Sequence, residues 1–95
     1  MKIVTKEELN HYPAGTVFAE YEPDIILSDV MVIDPQNFKG EWLFGATDVV
    51  PHDGEIFDWD WSLGEYKDND LFAVFEKDEI FQMVQTLISG LKILE

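Results

Sequence analysis

The sequence predicts an α+β fold. Residues 1–95 form a single acidic domain on a mostly antiparallel sheet of about five strands, with a short N-terminal helix and a C-terminal amphipathic helix packed on one face. Three observations carry that expectation. Strand-length runs rich in β-branched and aromatic residues recur from Thr16 to Phe75, punctuated by Pro, Gly and Asp turn signals. An apolar stripe of helical period follows them, from Ile80 to Leu94. No segment has the strand–helix–strand spacing that a parallel sheet requires.

Lys2-Ile3-Val4 is a short apolar start, a fragment of strand. Thr5 with Glu8 three residues on makes a capping box, which places a two-turn helix at about 6–11, broken by Pro13-Ala14-Gly15. Thr16 to Tyr21 reads as a strand, and Glu22-Pro23-Asp24 as the turn into a second, Ile25 to Ile33. The alternation of that second strand slips, so a bulge is expected near Ser28-Asp29. Asp34 to Gly40 reads as a loop carrying Phe38, and Glu41 to Thr47 as a third strand. Asp53-Gly54 suits a tight hairpin turn into a fourth strand, Glu55 to Leu63. On that strand Phe57, Trp59, Trp61 and Leu63 face one way, and Ile56, Asp58, Asp60 and Ser62 the other. Leu71 to Phe75 is continuously apolar, as expected of a central strand buried on both faces. Asp78 is the expected N-cap of the last helix, and Gly90 its expected stop.

The charge balance is the strongest global signal. Twenty acidic residues stand against six lysines and no arginine, for a net charge of −14. Half of that charge lies between Asp48 and Asp70, where eight acids oppose Lys67 alone. Such a surface repels DNA, RNA and anionic membranes and attracts a basic partner. With 46% apolar and 14% aromatic residues the chain can still build a core. There is no cysteine, which excludes disulfides, zinc–thiolate sites and cysteine nucleophiles and fits a reducing cytoplasm. MKIVTKEEL lacks the pattern of a signal peptide, and Ile80 to Leu94 is too short and too polar to span a bilayer. The expectation is a soluble, cytoplasmic protein.

Sequence motifs for chemistry fail on inspection. Asp58-x-Asp60-x-Ser62 opens like a calcium-binding EF-hand loop, but its sixth position is Leu63 and its twelfth Asn69, where glycine and glutamate are required. No metal or other cofactor is therefore expected. Paired carboxylates are abundant, yet neither His11 nor His52 belongs to a recognisable nucleophile arrangement, and His52 is expected to be solvated in its turn. No glycine-rich loop with a lysine cradles phosphate. The chain is read as a non-enzyme.

What remains is an acidic docking surface. On a strand, Asp58 and Asp60 project to the same side roughly 7 Å apart. Asp53, Glu55, Glu65, Asp68 and Asp70 extend the row, and Tyr66 within it is the expected exposed anchor, with Trp42 and Phe38 as further candidates. Trp59 and Trp61 are open to either a core or an interface role, with the spacing favouring core. The row would occupy a basic, nucleic-acid-binding site on a partner protein by phosphate mimicry. It resembles in type phage-encoded inhibitors of host defence nucleases, such as anti-CRISPR proteins, and nuclease immunity proteins, with no motif tying it to either. The alternative is a structural or accessory protein that self-associates through apolar surface or a sheet edge.

Overall fold

A computed structural model describes residues 1–26, 28–38 and 42–95, with the backbone alone for 35–38. The strands are β1 (Lys2–Thr5), β2 (Val17–Glu22), β3 (Ile25–Ile26), β4 (Met31–Phe38), β5 (Leu43–Asp48), β6 (Asp58–Ser62) and β7 (Leu71–Phe75). Helix α1 spans Lys6–Asn10 and α2 spans Lys77–Leu94. One antiparallel sheet runs in the order β1-β7-β2-β4-β5-β6, with β3 added on β2.

Local sequence signals account for much of this. Thr5 accepts from the Glu8 amide at 3.2 Å, and the Glu8 carboxylate accepts from the Thr5 amide at 3.0 Å, so the capping box starts α1 as expected. That backbone hydrogen bond holds the Glu8 carboxyl below its usual range. Thr5→Ala is expected to cost about 1 kcal/mol in urea unfolding. Asp53 and Gly54 both have positive φ, 49° and 82°, and His52 and Glu55 exchange both backbone hydrogen bonds across them, the two-residue hairpin turn that this dipeptide favours. Leu71–Phe75 was expected at the centre of the sheet; it is an internal strand, one place in from the edge between β1 and β2, with Phe72, Ala73 and Val74 buried.

The strand count is higher than expected, for two reasons, and one strand is longer. Lys2–Thr5 pairs fully with β7. The predicted second strand divides into β3 and β4, with Ile26 and Met31 bounding the break; Leu27 lies outside the described residues. Strand β4 also continues to Phe38, where a loop was expected, and the register shift falls between Ile33 and Phe38 rather than near Ser28-Asp29. Pro35 lies inside that interval and has no N–H to give the ladder.

The inner face of the sheet is set by alternation. Val4, Phe18, Met31, Ile33, Phe44, Ala46, Phe72 and Val74 share it and form the buried core with Leu9 of α1 and Leu63 of the following 3₁₀ turn. The sheet curls enough for Phe18 to meet the ring of Trp61, three strands away, edge-on at 5.6 Å between centroids. The sheet therefore covers much of its own inner face. Tyr66 closes the gap between its two ends, stacked on Trp61 at 5.9 Å and edge-on to Phe72 at 5.2 Å.

Tyr66 was expected to be an exposed anchor, and so was Trp42; both are half-buried and pack against the core. The side chain of Phe38 lies outside the described residues. Burial, with a hydrogen bond from the Tyr66 hydroxyl to Glu20, pushes its ionisation well above the ordinary 10.0. A proton held more tightly in the folded state gives stability that is complete below pH 10 and is lost as pH rises from there towards the folded value. In an alkaline titration followed by phenolate absorbance, one of the three tyrosines is expected to ionise only as the fold is lost. Three tyrosines ionising together in a folded chain would contradict the packing of Tyr66.

The C-terminal helix departs most from expectation. It forms, capped by a box between Glu76 and Glu79 rather than by Asp78, and it runs through Gly90 without stopping. It does not pack on a face of the sheet. None of its residues is buried, and Glu79, Ile80 and Met83, all in its first two turns, are its half-buried positions. The helix projects, giving the molecule extents of 45 × 28 × 22 Å.

Candidate functional site: an acidic edge and its adjoining cleft

The acidic row follows the edge of the sheet. Strand β6 ends the strand order, and Asp58 and Asp60 alternate on it as expected, both exposed. Asp53 and Glu55 are exposed in the hairpin before it, Glu65 on the 3₁₀ turn after it, and Asp68 in the loop beyond. Asp70 is half-buried and accepts from the Lys67 amide at 2.7 Å. Asp58 accepts from the Thr47 hydroxyl at 2.5 Å, Asp68 lies 3.4 Å from the Lys6 ammonium, and Asp60 too has an interaction partner.

A cleft of about 280 Å³ adjoins the row. It extends the inner face beyond the core, where the alternation that puts Phe18, Phe44 and Ala46 inside puts Glu20 and Asp48 inside as well. Asp29, His52, Trp59, Asp60 and Trp61 complete its wall. Asp48 is only 4% exposed, so its carboxylate needs partners. Trp59 Nε1 donates to Asp48 Oδ2 at 2.5 Å. His52 Nε2 lies 3.1 Å from the same oxygen and 3.2 Å from Asp29 Oδ2. His52 was expected to be solvated; its side chain is 41% exposed, but Nε2 itself is buried between the two carboxylates and makes no hydrogen bond.

Trp59 and Trp61 share a strand face but not a role. Trp61 lies over Phe18 in the core cluster, whereas Trp59 is 47% exposed at the cleft. The favoured core role therefore holds for Trp61 and fails for Trp59. Ala46, opposite Trp59, is too small to cover it, and the hydrogen bond to Asp48 draws the indole towards the rim.

Chemically, the cleft is a receptor for positive charge. Three acidic residues of the inner side and adjoining loop (Glu20, Asp29 and Asp48) line it together with Asp60 and an exposed indole, the combination that receives an ammonium or guanidinium group. Asp29, Asp48 and His52 also bring one oxygen, one oxygen and one nitrogen within 4.8 Å of one another. Oxygen and nitrogen donors of this kind are found around divalent cations, and exposed acidic groups are equally common without one. Ser28 is no free nucleophile: its hydroxyl accepts from the Glu20 amide at 2.8 Å and donates to the Asp29 carbonyl at 3.2 Å.

Glu20, Asp29, Asp48, His52 and Trp59 were not among the residues that the sequence singled out for binding. The one local signal was the four-residue step from Asp48 to His52 across the start of the hairpin. No family model, curated protein or solved structure matches the chain. The fold and site define a small α+β domain with an acidic sheet edge. Among the described residues no helix is long and apolar enough to cross a membrane.

Proposed function

We propose that this protein is a non-enzymatic acidic binding protein that docks on a basic, nucleic-acid-binding site of another protein and occludes it. The observation that carries the proposal is the run of exposed carboxylates along β6 and its flanking turns, beside a cleft that Asp60 lines together with three more acidic residues, Glu20, Asp29 and Asp48. Carboxylates on alternate strand positions stand roughly 7 Å apart. They offer a basic groove the same attraction that it uses for phosphates. The cleft adds a place for one lysine or arginine side chain of that groove, held by Asp29, Asp48 and the Trp59 face. Acidic side chains also guard a sheet edge against pairing with other strands; the cleft is the feature that edge protection leaves unexplained. An inhibitor of a phage-encoded type, acting on a defence nuclease as anti-CRISPR proteins do, or a nuclease immunity protein, would use this surface.

The test is capture from cell lysate on the immobilised protein, elution by rising salt, and competition of the eluted partner with duplex DNA. A basic nucleic-acid-binding protein that is released by moderate salt and displaced by DNA is expected. A partner that DNA fails to displace would contradict occlusion of a phosphate site.

A further inference from the structure

Beyond Ile80 and Met83, which are half-buried, the fold leaves the apolar stripe of α2 exposed. Phe81, Leu87 and Leu91 are 64%, 68% and 60% exposed, and Val84, Ile88 and Leu94 are exposed with them. Together these six side chains leave about 600 Å² of apolar surface on each copy, at the upper end of the largest patch that a soluble monomer shows and the size at which such patches are often functional. Covered by a like surface, that is roughly 1,200 Å² in total, the lower bound of a stable specific interface. The spacing says what kind of surface covers it. Ile80, Val84, Leu87, Leu91 and Leu94 recur in alternating steps of four and three, the seam of two helices packed side by side, with Phe81 and Ile88 flanking it. No charged side chain lies between Ile80 and Leu91, so closing the seam buries no charge.

We infer that a second copy of this chain covers the stripe, with the two α2 helices antiparallel. Charge fixes the direction. The helix carries Lys77, Asp78, Glu79, Lys92 and Glu95, so nearly all of the net charge of −14 belongs to the sheet. A parallel pair would set two such sheets side by side. An antiparallel pair holds them at opposite ends of an 18-residue helix, about 27 Å long, well beyond the screening length of about 8 Å in physiological salt. In the register that sets Ile80 against Leu91 and Val84 against Leu87 of the second copy, Lys92 also comes level with the acidic first turn, Asp78 and Glu79. A membrane surface fits poorly: the polar face of α2 offers Gln82, Gln85, Thr86 and Ser89 where anionic lipid selects lysine and arginine, and the sheet is repelled. The pairing goes beyond the docking reading and stands or falls separately from it, because α2 carries none of the acidic row.

The test is the mass of the full chain by sedimentation equilibrium across micromolar to millimolar concentration, in low and high salt. A dimer of the 11.0 kDa chain is expected, as tight or tighter in high salt, because salt screens the repulsion between sheets and leaves apolar contact intact. The double variant Leu87→Glu, Leu91→Glu is expected to be monomeric with an unchanged sheet, since both side chains are exposed in the single chain. The chain has no cysteine, so Glu95→Cys gives a single site for a nitroxide label. Antiparallel helices put the two labels about 30 Å apart, and parallel helices bring them within about half that. A wild-type chain that stays monomeric, including one whose stripe is covered only by an unlike protein, would overturn the inference. So would a dimer that survives the double variant, or a short label distance.

Discussion

Phe18→Ala is expected to destabilise the protein by about 3–5 kcal/mol, the usual cost of removing a buried ring and leaving a cavity. Phe18 is 0% exposed and touches Phe44 at 5.7 Å and Trp61 at 5.6 Å between centroids. It joins strands three apart, so its loss opens the curl that closes the core. A domain of this size has about 5–15 kcal/mol in all, and the thermal midpoint is expected to fall by roughly 15–30 °C. Circular dichroism on heating measures this directly. A midpoint within a few degrees of wild type would mean that the curled sheet does not depend on the Phe18–Trp61 contact. Leu87→Ala offers the contrast: measured where the chain is monomeric, it is expected to leave the unfolding of the sheet within about 0.5 kcal/mol of wild type.

Reversing Asp58, Asp60, Asp68 and Asp70 to lysine together is expected to abolish partner binding, with a loss on the order of a thousandfold or more in affinity. Each site changes from attraction to like-charge repulsion against the basic surface, which costs on the order of a kcal/mol or more per contact when the groups are close. Asp58, Asp60 and Asp68 are exposed and Asp70 is half-buried in its loop, so the core is untouched. Thermal unfolding and sheet circular dichroism serve as the control for fold. A folded variant with normal binding would place the docking surface elsewhere. Trp59→Ala separates the cleft from the row: it removes the aromatic face that receives a cationic side chain, and a loss of about tenfold is expected without a change in salt dependence.

The parts of the fold that sequence made legible are those governed by neighbours in the chain. The Thr5–Glu8 box, the Asp53-Gly54 turn and the LFAVF strand each follow from residues within a few positions. Features set by register were not legible. Glu20, Asp29, Asp48 and Trp59 come from separate strands and loops and meet only because β2, β4, β5 and β6 pair as they do. Trp59 and Trp61 have the same parity, yet one lies over Phe18 and the other past the end of the core. For α2, periodicity showed an apolar stripe and could not show what covers it; the curl of the sheet had already used the face that the helix was expected to occupy. Gly90 suits the C′ position that ends many helices, but within a helix glycine costs only about 1 kcal/mol, and α2 continues through it to Leu94.

The central claim is that binding runs through exposed carboxylates, and the dissociation constant for the captured partner as a function of ionic strength tests it most directly. Between about 0.1 M and 1 M salt the screening length falls from about 10 Å to about 3 Å. The acidic-edge account predicts a steep, continuous loss of affinity over that range, shallower for the Asp58, Asp60, Asp68 and Asp70 variant to the extent that it binds at all. An affinity that stays level or strengthens with salt would contradict it and transfer the function to apolar surface.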